Sequence, residues 1–252
     1  MLKAILFDLD DTLIDWSRSN QEWEVREREL MRGVFDYVRE QVHPLDDYDR
    51  LLANFSLYTR QAWDNGRNNL RAPHIGRVIK EALVATGVPP EAIDERRCLE
   101  AYLWRAAAGV EVFPDVPPFL ELLQANDIKT GIVTNAYQPM WLRDFELTDF
   151  DLLRYFPKCR ISAADAGFLK PHPAIFEHAL KTVEADPSEV VFIGDNPVAD
   201  IAGAQGVGMR AVLRVTHPTP PMLSGMIVPD HAINSFEQLP EVLDEWFPGW
   251  RA

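Results

Sequence analysis

Cysteine is scarce in this chain. Only Cys98 and Cys159 occur, 61 positions apart and with no Cys-x-x-Cys pair, which excludes a disulfide framework and a thiolate zinc knuckle and fits a reduced, cytoplasmic setting. Long apolar runs are missing as well. The first apolar stretch, 4–7, is cut by Asp8, and no run of 18 apolar residues follows, so neither a signal peptide nor a membrane span is expected. Positive charge is in deficit, with 25 Lys plus Arg against 39 Asp plus Glu and a formal net charge of −14. A surface of that sign repels phosphate backbones, which argues against a nucleic-acid partner.

What remains is a globular composition. A chain of 252 residues, 47% apolar and 25% charged, can bury a sizeable core as one large domain or a domain with a second lobe. There is no internal repeat, and a Pro-rich stretch at 217–221 reads as a loop.

From about residue 112 onward, short β-rich runs alternate with helical patterns, the signature of βαβ units around a parallel sheet. Strands are expected at 2–7, 129–133, 160–162, 190–193 and 210–215. Helices are expected between them, as at 173–183, where Ile175, Phe176, Ala179, Leu180 and Val183 recur at the 3.6 period behind Pro173. Another opens on Asn196 as N-cap and Pro197 at N1, with Gly206 to end it. Residues 16–110 differ. Trp23, Leu30, Met31, Val34, Phe35 and Val38 form a helical stripe, further helical patterns follow near 46–63, 74–86 and 91–106, and no strand interrupts them. The spacing predicts an α/β core from 1–15 and 111–252, with an all-helical insertion at 16–110. Charge divides at the same boundary: the insertion carries 14 basic and 15 acidic residues, leaving net −13 on the core. Inside the insertion, Arg60, Arg67, Arg71 and Arg77 face only Asp64 between 60 and 77. A solvated helix face and a cradle for an anionic substrate group are both open readings of that segment.

The sequence Leu6-Phe7-Asp8-Leu9-Asp10-Asp11-Thr12 places carboxylates at i and i+2 beyond an apolar strand, at the sheet edge where open α/β sheets hold ligands. A second acidic cluster, Gly194-Asp195 through Asp200, follows another apolar run. Several Asp residues without histidine or thiol make a hard-cation site of the Mg²⁺ kind. Between them, Thr134 and Asn135 end a third strand with groups able to donate to phosphate oxygens. Lys170, one of only six lysines in the chain, precedes a helix N-terminus that itself favours anions.

In that order and strand context, these four features resemble the four motifs of the haloacid dehalogenase-like hydrolase superfamily, in its phosphatase branch with an α-helical cap after the first strand. The resemblance covers essentially the whole chain. It implies a Rossmann-like α/β parallel sheet flanked by helices, with the cap at 16–110. It also implies Asp8 as nucleophile, Asp10 as general acid and base, Thr134 as a phosphoryl ligand, and Lys170 as the neutralising cation. Mg²⁺ would be held by Asp195, the Asp8 carboxylate and the Asp10 main-chain carbonyl, with Asp200 acting directly or through water. Asn135, Arg67 and Arg71 are further candidates for substrate contact.

The implied activity is hydrolysis of a small phosphate monoester, a sugar phosphate, a phosphoglycolate-like acid or a nucleotide, through an aspartyl phosphate. Asp10 would need a raised pKa to serve as acid. The cap would close over the site, with hinges near 14–17 and 109–114, and Trp16 is the tryptophan expected to reach the pocket. Dehalogenases of the superfamily lack the second aspartate, and a phosphonatase needs a cap lysine, for which Lys80 is the sole candidate. A phosphosugar mutase and a catalytically silent binding module are the remaining alternatives. Oligomeric state is not legible.

Overall fold

Residues 4–7 are apolar at every position, as befits a strand covered on both faces, and they form β1 (Ala4–Phe7), all four buried. The computed structural model describes residues 1–19, 21–216 and 226–251, so the Pro-rich stretch at 217–221 lies outside the described residues. After β1 come a short strand β2 (Ile14–Asp15) and four helices: α1 (Trp23–Gln41), α2 (Tyr48–Asn69), α3 (Ile75–Thr86) and α4 (Glu95–Tyr102). The chain returns through β3 (Glu111–Val112), then α5 (Val116–Ala125), β4 (Lys129–Thr134), α6 (Met140–Asp149), β5 (Cys159–Ser162), α7 (Ala163–Ala166), α8 (Pro173–Val183) and β6 (Val190–Gly194). A π-helical turn, Pro197–Ala202, runs into α9 (Gly203–Gly206), followed by β7 (Arg210–Arg214), β8 (His231–Ile233) and a C-terminal helix, Leu239–Trp246.

The main sheet is parallel throughout, in the order β5-β4-β1-β6-β7-β8. This is the Rossmann-like α/β class. Strand order reverses on either side of β1, so the carboxyl ends of β1, β4 and β6 open on one crevice, where ligands bind in such sheets. Five of the six strands fall where the sequence pattern puts them. β8 was not expected, because its three residues are mostly exposed and carry no alternating pattern to read.

The helices of 23–102 surround an apolar cluster that includes Met31, Val34, Phe55, Ile79, Leu83 and Leu99 and extends to Tyr137 and Leu142 of the α/β core. The two chain crossings that flank them pair as an antiparallel ribbon, Ile14 with Val112 and Asp15 with Glu111. Gly109 enters that ribbon at φ +78°, where a Cβ would lie 2.6 Å from the carbonyl of Arg18, so only glycine fits. Among the described residues, three backbone hydrogen bonds tie the helices to the core elsewhere: Leu169 N to Leu70 O, Ala72 N to Gly167 O, and Ile75 N to Tyr137 O, at 2.9–3.1 Å.

Candidate active site

The site begins where β1 stops. Asp8 N still donates to Ile193 O at 2.9 Å, extending the ladder to β6 by one residue. The chain then turns through Asp11, at φ +57°, a left-handed conformation that Asp tolerates better than most residues. The turn aims Asp8 and Asp10 out of the same sheet edge but to different partners.

Asp8 joins Asp195 and Asp200: one carboxylate oxygen from each lies within 4.8 Å of the others. Asp195 follows directly on β6, and Gly194 leaves room behind it, since a Cβ there would sit 2.3 Å from the Asp200 carboxylate. Asp200 is fully buried on the π-helical turn, where its Oδ2 accepts from Asn196 N at 2.9 Å. The cation of the group is Lys170, 3% exposed, with its Nζ 2.8 Å from Asp8 Oδ1 and 2.6 Å from Asp200 Oδ1. Burial would push Lys170 down, but Asp200 and Asp8 outweigh it and hold its ammonium above the usual range. One ammonium does not balance three carboxylates. Burial first, then the neighbouring acids, pushes Asp8 well up despite Lys170, and burial with Asp200 and Asp11 pushes Asp195 up to about 6. A crowded, under-neutralised, all-oxygen donor set fits a divalent cation of the Mg²⁺ type.

Asp10 is built into a second cluster that no sequence signal announced. Arg143, on α6, places Nη2 2.8 Å and Nη1 3.3 Å from the two Asp10 oxygens, and Trp16 Nε1 donates to Asp10 Oδ1 at 2.9 Å. Arg143 is 3% exposed, and its Nε donates at 2.7 Å to fully buried Glu146. Burial raises Asp10, but the Arg143 guanidinium and the Trp16 donor outweigh it, so the carboxyl sits below its usual range. This differs from the raised pKa expected of an acid at this position, and the cause is Arg143. An i, i+3 Arg–Glu spacing on α6 was readable as a local pair; its reach across 133 positions to Asp10 was not.

Thr134 ends β4 at 1% exposure and lines the same pocket as Asp8; its Oγ1 accepts from Ala136 N at 3.3 Å. Asn135 also borders the pocket, but both ends of its amide hold the Lys170 backbone: Lys170 N donates to Oδ1 at 2.7 Å and Nδ2 donates to Lys170 O at 3.2 Å. Arg67 and Arg71 are not among the pocket's lining residues. Arg67 pairs with Asp64 at 2.8 Å on the exposed face of α2. Arg71 lies over the Phe168 ring at 4.4 Å, pairing its strand-like segment with residue 168 where the helices meet the core. Trp16 does border the pocket, together with Trp23, Trp63 and Trp104.

The haloacid dehalogenase-like hydrolase family matches residues 2–208 of this chain. The chain is similar to a phosphoserine phosphatase of Thermus thermophilus, 28% identical over 84% of this chain and 88% of that protein. It is similar to a glyceraldehyde 3-phosphate phosphatase of Methanopyrus kandleri, 29% identical over 84% and 83%. Among solved structures, a 2-haloacid dehalogenase from Pseudomonas syringae superposes with a TM-score of 0.63 at 30% identity, over 98% of this chain and all of that one.

Proposed function

The chain belongs to the haloacid dehalogenase-like hydrolases, and from that premise we propose that it is a cytoplasmic, Mg²⁺-dependent phosphatase of a small phosphorylated metabolite, working through a phosphoaspartate at Asp8. The observation that carries this reading is the three-carboxylate cluster at the end of β1, with Lys170 as its cation and an open pocket above it. Asp8, Asp195 and Asp200 would hold the metal, with the Asp10 carbonyl. When bound, the dication brings the group to neutrality and draws negative charge off the phosphoryl oxygens, so that a phosphate dianion meets no net repulsion.

Asp8 attacks phosphorus in line with the ester oxygen, forming the Asp8–phosphorus bond as the ester bond breaks. Lys170 holds the attacking carboxylate and offsets charge at the phosphoryl group, and Thr134 donates to a phosphoryl oxygen. The leaving oxygen takes its proton from Asp10. Arg143 opposes protonation of Asp10 in the empty pocket, and a phosphate dianion arriving beside it pushes the carboxyl up again. Once the alcohol has left, Asp10 is an anion held by Arg143 and Trp16 in place to take a proton from water, which attacks the phosphoaspartate and releases phosphate. The helices of 23–102 cover the pocket and limit the access of other water.

Phosphate release from a panel of phosphate monoesters tests this: turnover in Mg²⁺ and none in chelator is expected. Activity undiminished in chelator would overturn the metal assignment. A second reading, displacement of halide from a 2-haloacid by Asp8, draws on the Pseudomonas syringae likeness and on Asp10 being held as an anion. Chloride release from 2-chloropropionate without phosphate release would favour it.

A further inference from the structure

The pocket above Asp8 is larger than a phosphoryl group needs. Its volume is about 510 Å³, inside the roughly 300–1,000 Å³ of small-molecule sites, while a phosphoryl group takes a few times the ~30 Å³ of a water. The rest of the space belongs to the leaving group, and its walls are aromatic. Trp63, on α2, and Tyr137, after β4, form one pair with ring centroids 5.7 Å apart; Trp23, opening α1, and Trp104 form another at 6.1 Å. Trp104 is spent within the protein: it is 1% exposed, with Tyr102 stacked on it and Arg26 4.4 Å over its ring. Trp23 keeps 45% of its surface exposed, with its indole interacting with Glu27, and Trp63 is half-buried. Thr59 adds a buried hydroxyl with no hydrogen-bond partner among the described residues on the same wall.

Charge points the same way. The single cation among the described lining residues is Arg143, which is committed to Asp10 and Glu146. A neighbouring cavity that shares Trp23 and Thr59 adds Arg28 and Arg60 but also Glu24 and Glu27, so no surplus of positive charge awaits a second anion.

We propose that the substrate is a phosphate monoester whose leaving group carries an uncharged planar ring, of the nucleoside 5′-monophosphate kind, stacked against Trp63 and Trp23. The inference rests on the phosphatase reading above and adds the leaving group. Base–aromatic stacking is a strong and sequence-tolerant interaction, and both indoles line the pocket while staying partly exposed.

Uridine 5′-monophosphate and ribose 5-phosphate share the scissile ester and the sugar and differ in the base. We expect kcat/KM to be at least about tenfold higher for the nucleotide, about 1.4 kcal/mol. Trp63→Ala is expected to bring that ratio close to one, and Trp63→Phe to restore most of it. In the Asp8→Asn protein with Mg²⁺, tryptophan fluorescence should report nucleotide binding at about tenfold lower concentration than ribose 5-phosphate. A wild-type ratio at or below one, or faster turnover of 3-phosphoglycerate or a sugar bisphosphate, would overturn the proposal. If no monoester is hydrolysed, the phosphatase reading fails, and the fluorescence titration still decides the ring: equal affinities for the two probes would refute it.

Discussion

Asp8 and Asp10 stand two residues apart on one strand end, yet their surroundings treat charge in opposite ways. Around Asp8, three carboxylates share one buried ammonium. Around Asp10, two carboxylates share Arg143, and Arg26 lies close enough to act on Glu146 as well. Both guanidinium groups rest near the Trp104 ring, at 4.4 and 5.4 Å. The first cluster is short of positive charge and rich in oxygen donors, which makes it a place for a further cation. The second is balanced within the protein and enclosed by indole rings. It anchors the helices of 23–102 to the reacting end of the sheet, because Trp16 and Trp104 lie on the two crossings and Arg143 on the core.

The sharpest way to separate the clusters is to remove one member of each. Asp8→Asn is expected to lower turnover by at least about 1,000-fold while leaving the melting temperature unchanged or raised. Burial already disfavours the charged form of Asp8, and Lys170 keeps Asp200 as partner. Phosphate release and a thermal melt on the same preparation measure both. A large drop in melting temperature would show that Asp8 holds the fold rather than the chemistry.

Arg143→Met should do the reverse to stability. It leaves Asp10 and fully buried Glu146 without their shared cation, and breaking a buried pair from one side costs about 3–5 kcal/mol. For a chain of this length that is a fall in melting temperature on the order of 10 °C. Retention of the wild-type melt would mean that the cluster is not what joins the helices to the core.

The difference between the clusters also explains what could be read in advance. Asp8, Asp10, Thr134, Lys170, Asp195 and Asp200 sit at strand ends or helix starts, where a local pattern of apolar run, turn and acid marks the position. The central strand AILF and the helix Pro173–Val183 were legible for the same reason, since periodicity and Pro at N1 are local. Arg143 and Glu146 had no such mark, because their partner lies on another strand. For Arg71, in the basic segment 60–77, composition leaves a solvated face and a substrate cradle both open; its guanidinium lies over the Phe168 ring, a contact with no local mark in the sequence. Asn135, marked by its position after β4, does border the pocket, and its amide also holds the Lys170 backbone, which no local pattern shows.

The smallest expected effect tests the charge deficit itself. The Asp195 carboxyl is pushed up to about 6 in the folded protein, against about 3.9 when unfolded. Between those values the folded state binds more protons than the unfolded one, so this group adds stability as pH falls from 7 through about 6. Asp10 does the opposite: its lowered pKa contributes stability that is lost only at pH below the ordinary carboxylate range, so it is silent in this window. Glu146 is also raised and His74 lowered, so the useful quantity is the difference between wild type and Asp195→Asn. In chelator, acidification from pH 7.5 to 5.5 should raise the wild-type melt relative to the variant by a few degrees, at about 2–4 °C per kcal/mol. In saturating Mg²⁺ the sign should invert, because a bound dication holds the carboxylates ionised and protons then compete with it. Parallel lines for the two proteins in chelator would mean that Asp195 is not crowded, and the case for a cation at Asp8 would fall with it.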